Sequence, residues 1–106
     1  VDPVRAIAAV TAREGLWLHV DAAYAGAAAV APELRDVLDG VDGAQSLVIN
    51  PHKWLFTPVG CSALWVRDVG ALRRAFTLVP EYLRTTSGAS LDYHDVGYQL
   101  GRPFRA

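Results

Sequence analysis

Leu16-Trp17-Leu18-His19-Val20-Asp21 and Ser46-Leu47-Val48-Ile49-Asn50-Pro51-His52-Lys53 are the two stretches from which the fold can be read. Each begins as a short apolar run rich in strand formers and ends in polar residues. The first is bounded by Gly15 and by the small residues after Asp21. Runs of this length with turn-forming neighbours predict buried strands rather than helices. Asp21 closes the first strand, and Asn50-Pro51-His52-Lys53 follows the second at its carboxyl end.

The intervening segments read as helices. Asp2-Pro3 predicts an N-cap and a proline in the first turn of an amphipathic helix carrying Val4, Ile7, Ala8 and Val10, closed by Gly15. Pro32 to Leu38 repeats that signal, with Leu34, Val37 and Leu38 on one face and Gly40 as the stop. Cys61 to Val66 predicts a third strand, and Asp68 caps a helix whose apolar face is Val69, Leu72, Ala75 and Phe76. From Val79 to Asp92 the pattern gives way to Pro, Glu, Thr, Ser and Gly, the composition of a loop long enough to be mobile or functional. Helices alternating with continuous apolar strands predict an α/β layered fold, its strands covered on both faces. Three strands make an incomplete sheet. The start at Val1 and the lack of any methionine likewise read as an internal stretch of a longer protein.

Composition narrows the function classes. The 106 residues are 52% hydrophobic with a formal net charge of −1, which gives no electrostatic reason to expect nucleic acid or an anionic membrane as partner. The longest apolar stretch, Ala22 to Ala31, is far shorter than the ~18 residues of a spanning helix. No basic-then-apolar leader opens the chain. The single cysteine, Cys61, excludes an internal disulfide framework and fits a reducing, cytoplasmic compartment.

In open α/β sheets ligands gather at the carboxyl ends of the strands. Asp21 and Lys53 lie about 30 residues apart, the span of a strand-helix-strand crossover. If the two strands run the same way, an acid and an amine reach one rim. That pair suits pyridoxal phosphate (PLP): the lysine amine condenses with the cofactor aldehyde, and the carboxylate pairs with the pyridine nitrogen. Lys53 then needs desolvation, and Trp54, Leu55 and Phe56 supply an apolar wall. From spacing alone, Asp21 also reads as a strand-end cap or ion-pair partner, and Lys53 as a solvated surface charge.

The longer pattern is more specific. Trp17-Leu18-His19-Val20-Asp21-Ala22-Ala23-Tyr24-Ala25-Gly26 followed by Asn50-Pro51-His52-Lys53-Trp54 resembles the group II PLP-dependent decarboxylases, especially aromatic-L-amino-acid decarboxylase and its relatives. The likeness continues through Cys61 to Val66, Pro80-Glu81-Tyr82-Leu83 and Leu100-Gly101-Arg102-Pro103-Phe104-Arg105.

It implies the fold-type-I large domain, a mostly parallel sheet with helices on both faces, of which residues 1–106 are a central portion. It implies PLP as cofactor, a homodimer in the full-length protein, and decarboxylation of an L-amino acid to the amine and carbon dioxide. Lys53 matches the Schiff-base lysine, Asp21 the partner of the pyridine nitrogen, and Ala23 the small residue against the ring. Asn50 matches an asparagine that helps hold the phosphate. His52 matches the histidine bordering the site, counted with both the catalytic and the cofactor-holding residues. Tyr82, on the loop at residues 79–92, matches the proton donor that acts after carbon dioxide leaves. Where relatives carry phenylalanine there, the resemblance implies a shift toward an aldehyde product.

The segment Leu91 to Gln99 departs from the animal aromatic enzymes, which leaves tyrosine, phenylalanine, tryptophan and dihydroxyphenylalanine open as substrates, ahead of glutamate or 2,4-diaminobutyrate. Another fold-type-I enzyme, such as an aromatic aldehyde synthase, and an inactive truncated fragment are the alternative readings. The phosphate loop, the ring-stacking histidine and the small domain of the family have no counterpart among these residues, so the isolated chain is expected to bind PLP weakly or not at all.

Other residues weigh less. His19 and Asp21 share a strand face, but two ligands make no metal site. Cys61, Trp17, Trp65 and Phe76 read as core, Arg73 and Arg74 as a wet helix face, and His94 as solvated. Arg102 and Arg105 stay undecided.

Overall fold

The computed structural model describes residues 1–76 and residue 96. The chain divides into two compact units, Val1–Arg67 and Asp68–Ala106. The predicted loop at residues 79–92, Tyr82, His94, Arg102 and Arg105 lie outside the described residues.

In the first unit, helix α1 (Val4–Arg13) leads to strand β1 (His19–Asp21). Three 3-10 helices follow, Ala25–Val30, Pro32–Leu38 and Val41–Gly43, and then strand β2 (Ser46–Ile49), the short helix α2 (Pro51–Trp54) and strand β3 (Ala63–Val66). The sheet order is β1-β2-β3. Strands β1 and β2 are parallel with His19 opposite Ser46 and Asp21 opposite Val48, so their carboxyl ends meet at one rim as expected. Strand β3 runs antiparallel to β2, pairing Ile49 with Ala63 and Ser46 with Val66. A reversal this close in sequence needs no crossover helix, and α2 with its following turn is long enough to make it.

Helix α1 ends on a Schellman closure. Gly15 takes φ +64° while its N–H bonds Ala12 O and the Leu16 N–H bonds Thr11 O. The start differs from expectation. Pro3 itself occupies the capping position and no side chain caps the helix, because Val4 N–H is taken by the Asp2 carbonyl rather than its carboxylate. Further along, Gly40 at φ +86° fits against α1 so closely that a Cβ would fall 2.4 Å from Arg5 Cα. Arg5 clasps the same turn, with Nε and Nη2 donating to the two Asp39 carboxylate oxygens at 2.8 and 2.6 Å.

Other expectations are corrected by the structure. The first strand covers half of its predicted stretch, and Leu16 and Trp17 are exposed before it. Pro32–Leu38 is a 3-10 helix with no buried residue, so Leu34 is exposed rather than part of a packed face. Cys61 is exposed ahead of β3, and Trp65 is exposed on it. The buried apolar residues are Ala8, Ala22, Ala27 and Ala44, and no large side chain among the described residues is fully buried. Small side chains let α1 and the 3-10 helices approach the sheet closely. The larger residues predicted as core lack the two-sided cover that layered strands have.

In the second unit α3 (Val69–Phe76) begins after Asp68, as predicted. The Asp68 carboxyl is held below the usual carboxylate range, first by the Ala71 N–H and then by the Arg74 guanidinium and Gly70 N–H. In hydrogen-bond geometry the Ala71 N–H meets the Asp68 carbonyl at 3.1 Å, and the carboxylate accepts from Arg74 Nη2 at 3.3 Å, so the side-chain cap expected from the sequence is not seen as a backbone bond to the carboxylate. No helix among the described residues is long and apolar enough to cross a membrane.

Candidate functional site

The carboxyl ends of β1 and β2 are tied together by backbone bonds that continue past the strands. Ala22 N–H donates to Val48 O at 3.0 Å, and Asn50 N–H donates to Ala23 O at 3.2 Å. The first connection turns away at Gly26, where a Cβ would meet Ala22 Cβ and Ile49 Cγ1 at 2.8 Å, so only glycine lets this turn pack on β2. The second enters α2, with Asn50 in an extended conformation before it and Pro51 at the first helical position, where its missing N–H costs nothing.

These two turns frame a cavity of about 590 Å³ whose lining includes Asp21, Ala22, Ala23, Tyr24, Gly26 and Lys53. The volume lies within the range of small-molecule sites. Asp21 and Lys53, predicted to share a rim, therefore line one cavity.

Their immediate surroundings differ. Asp21 Oδ1 accepts the Ala23 N–H at 3.0 Å, an Asx-type turn that fixes the carboxylate and leaves its second oxygen uncommitted among the described residues. Lys53 forms no ion pair among the described residues. Its Nζ stands over the Tyr24 ring, 5.8 Å from the centroid, within reach of a cation–π attraction. Trp54 meets the same ring edge-on, with centroids 5.3 Å apart at 75°. The expected apolar wall is thus corrected in part. The ring contact to the amine comes from Tyr24, which Trp54 meets in turn; Tyr24, Trp54 and Leu55 are all exposed, and Phe56 is fully exposed at φ +54°, so the wall is an open one.

Of the remaining predicted residues, Ala23 lines this cavity, whereas Asn50 and His52 do not. His52 Nδ1 lies 2.5 Å from the Cys61 carbonyl oxygen. A carbonyl only accepts, so Nδ1 carries the ring hydrogen and Nε2 is left as the acceptor. Asn50 Oδ1 accepts from Ser62 Oγ at 2.8 Å, which orients its amide and leaves the NH₂ end available. Ala23 presents a methyl group and nothing larger to the cavity. Tyr82 is not among the described residues.

Sequence reasoning named Tyr24 without giving it a role. The signal for Tyr24 was its place three residues after the strand-end acid, on the turn that faces the second strand. No group of three or more His, Cys, Asp or Glu able to hold a metal ion occurs among the described residues.

Comparison with known proteins places this geometry. The family model described as the pyridoxal-dependent decarboxylase conserved domain matches residues 1–106. Tyrosine/DOPA decarboxylase 1 of Papaver somniferum is 45% identical over all of this chain and 21% of its own length. Phenylacetaldehyde synthase of a Rosa hybrid cultivar is also 45% identical, over all of this chain and 22% of its own. The solved structure of Oryza sativa TDC with PLP and tryptamine superposes with a TM-score of 0.86 at 47% identity, covering 96% of this chain and 21% of that one. The chain spans about a fifth of the length of these relatives. An acid and a lysine on one rim of a mixed α/β sheet are thus joined to a family match along the whole sequence, and the chain belongs to the pyridoxal-dependent decarboxylases, group II.

Proposed function

We propose that the full-length protein decarboxylates an aromatic L-amino acid to its amine and carbon dioxide, with PLP held by Lys53, Asp21, Ala23, Asn50 and His52. The observation that carries this reading is the placement of Asp21 and Lys53 on one cavity of about 590 Å³. The residues present fit the cofactor. The alanines at 22 and 23 leave room for a flat ring, one Asp21 oxygen is uncommitted, and the amine is free of ion pairs among the described residues.

When bound, the pyridoxal ring takes up the electron pair that the departing carboxylate leaves behind. The chain's own residues do the rest. Lys53 supplies the amine that tethers the cofactor. The Asp21 carboxylate, aimed by the Ala23 N–H, would accept a hydrogen bond from the ring nitrogen and keep it charged. Ala23 would leave room beside the ring, the Asn50 amide would be free to hold the phosphate, and His52, oriented by Cys61 O, would border the site. Tyr82, in the segment whose composition predicts a loop, delivers a proton to the substrate α-carbon and keeps water out.

A second reading is favoured by a specific observation: an aldehyde synthase matches this chain with the same identity as a decarboxylase. Tyr82 separates the two, since its phenol supports protonation and the amine product. A homodimer with a site built between subunits completes the proposal, together with a cytoplasmic location. Residues 1–106 then form the central part of the large domain.

Tyrosine, phenylalanine, tryptophan and dihydroxyphenylalanine supplied to the full-length enzyme test the reading by product analysis. Amine and carbon dioxide in equal amounts are expected, and Tyr82→Phe shifts the product toward aldehyde. An unchanged amine-to-aldehyde ratio in that variant contradicts the proton-donor role.

A further inference from the structure

One aromatic ring joins the two turns that frame the cavity. Asn50 N–H donates to Ala23 O at 3.2 Å, which ties the turn after β1 to the start of α2. The next residue on the first turn is Tyr24, and its ring receives two consecutive residues of α2. Lys53 Nζ stands over the ring, 5.8 Å from the centroid. The Trp54 ring meets it edge-on, with centroids 5.3 Å apart at 75°. Tyr24 and Lys53 both line the cavity, and Trp54 braces the ring from outside that lining.

The face of an aromatic ring is the negative end of its quadrupole, so it attracts a cation and gains far less from a neutral nitrogen. Lys53 forms no ion pair among the described residues, and the Asp21 carboxylate on the same cavity is held by the Ala23 N–H instead. The Tyr24 ring is therefore the seat the ammonium finds. Such a seat matters when the amino group of a substrate takes the place of Lys53 on the cofactor. The carbon–nitrogen bond to the lysine then breaks as the bond to the substrate nitrogen forms. The protons that the substrate ammonium gives up end on the lysine nitrogen, which departs as an ammonium. A site that stabilises this cation favours the exchange. A ring does so without a formal charge, and so without drawing Asp21 away from the ring nitrogen of the cofactor.

We propose that Tyr24 is a positioning residue for Lys53, its ring face seating the ammonium once a substrate amine has displaced it, with Trp54 holding the ring in place. The inference rests on the reading of Lys53 as the lysine that tethers the cofactor. Tyr24 and Trp54 are 63% and 43% exposed, so water competes for the cation and the effect is severalfold rather than orders of magnitude.

The test uses the full-length holoenzyme and the methyl ester of an aromatic L-amino acid, which displaces Lys53 but has no carboxylate to lose. The ester's dissociation constant is read from the visible circular dichroism of the bound cofactor. Tyr24→Leu is expected to weaken ester binding about threefold, while the affinity of the apoenzyme for PLP is undiminished. Tyr24→Phe, which keeps the ring, retains the wild-type values. In Lys53→Ala supplied with PLP there is no amine to seat, and adding Tyr24→Leu should change ester binding no further. If Tyr24→Leu does not fold, Trp54→Leu carries the test, with a smaller loss that also disappears without Lys53. Wild-type ester affinity in both variants overturns the proposal. So does an equal loss with and without Lys53, which would make Tyr24 a wall of the substrate pocket. Failure of the underlying reading looks different: in that case Lys53→Ala retains the full visible absorbance of bound PLP.

Discussion

Two acid–base pairs in this chain bring together charges that are distant in sequence, and they end differently. Arg5 and Asp39, 34 positions apart, close on each other through two short hydrogen bonds on the surface. Asp21 and Lys53 line the same cavity without pairing, the acid held by a backbone N–H and the amine resting over an aromatic ring. The first pair satisfies itself and clasps a turn. The second leaves a gap between an acceptor and an amine, which is what a ligand with complementary ends requires. A charge left open inside a concavity is a stronger pointer to chemistry than a charge neutralised outside one.

The comparison can be broken most decisively at the open pair. Lys53→Ala is expected to lower decarboxylase activity by at least about a thousandfold and to abolish the visible absorbance of bound cofactor in the full-length enzyme. Activity within tenfold of wild type would remove the lysine from the mechanism. Asp21→Asn keeps the shape and the Ala23 bond but loses the charge. Its turnover is expected to fall about a hundredfold while the cofactor stays bound. An unchanged turnover would assign Asp21 to the strand-end cap alone.

Smaller effects belong to the closed pair and its turn. Gly40→Ala adds a methyl against the Arg5 backbone at a positive φ, so thermal unfolding should show a loss of about 2 kcal/mol. Gly15→Ala has the strained φ without the collision and should lose about half as much. Equal losses would mean that the close approach to α1 contributes nothing.

The least effect is expected from acid. The hydrogen bond from Arg5 holds the Asp39 carboxyl below its ordinary value. A carboxylate held low contributes stability above its unfolded-state value and loses it as pH falls through the lowered one. Both groups are exposed, so Arg5→Ala should change stability slightly at neutral pH and flatten the acid limb of the stability–pH curve. An identical acid limb in the variant would show that the clasp does not couple to folding.

What could be read from sequence follows the same division between local and long-range causes. Strand β2 lies where a branched apolar run between turn formers predicts it, and Gly15 ends α1 because only a left-handed residue closes that motif cheaply. The shared rim followed from strand ends and crossover length, which are local signals too. The alanine-rich segment gave no periodicity from which to predict the 3-10 helix Ala25–Val30. The turn before β3 is marked by Pro58 and Gly60, with Cys61 N–H closing on Pro58 O and Gly60 at φ +98°, but a turn signal alone does not say that β3 pairs antiparallel to β2. The Lys53–Tyr24–Trp54 cluster was hidden for a different reason. It depends on side chains about 30 residues apart meeting across the parallel register, which no single stretch encodes.

The most direct measurement is peptide mapping after borohydride reduction of the full-length holoenzyme, which makes the lysine–pyridoxal linkage permanent. The cofactor mass is predicted on the peptide that contains Lys53, the lysine of the Asn50-Pro51-His52-Lys53 turn. A cofactor mass recovered wholly on another lysine, with the Lys53 peptide unmodified, would contradict the account.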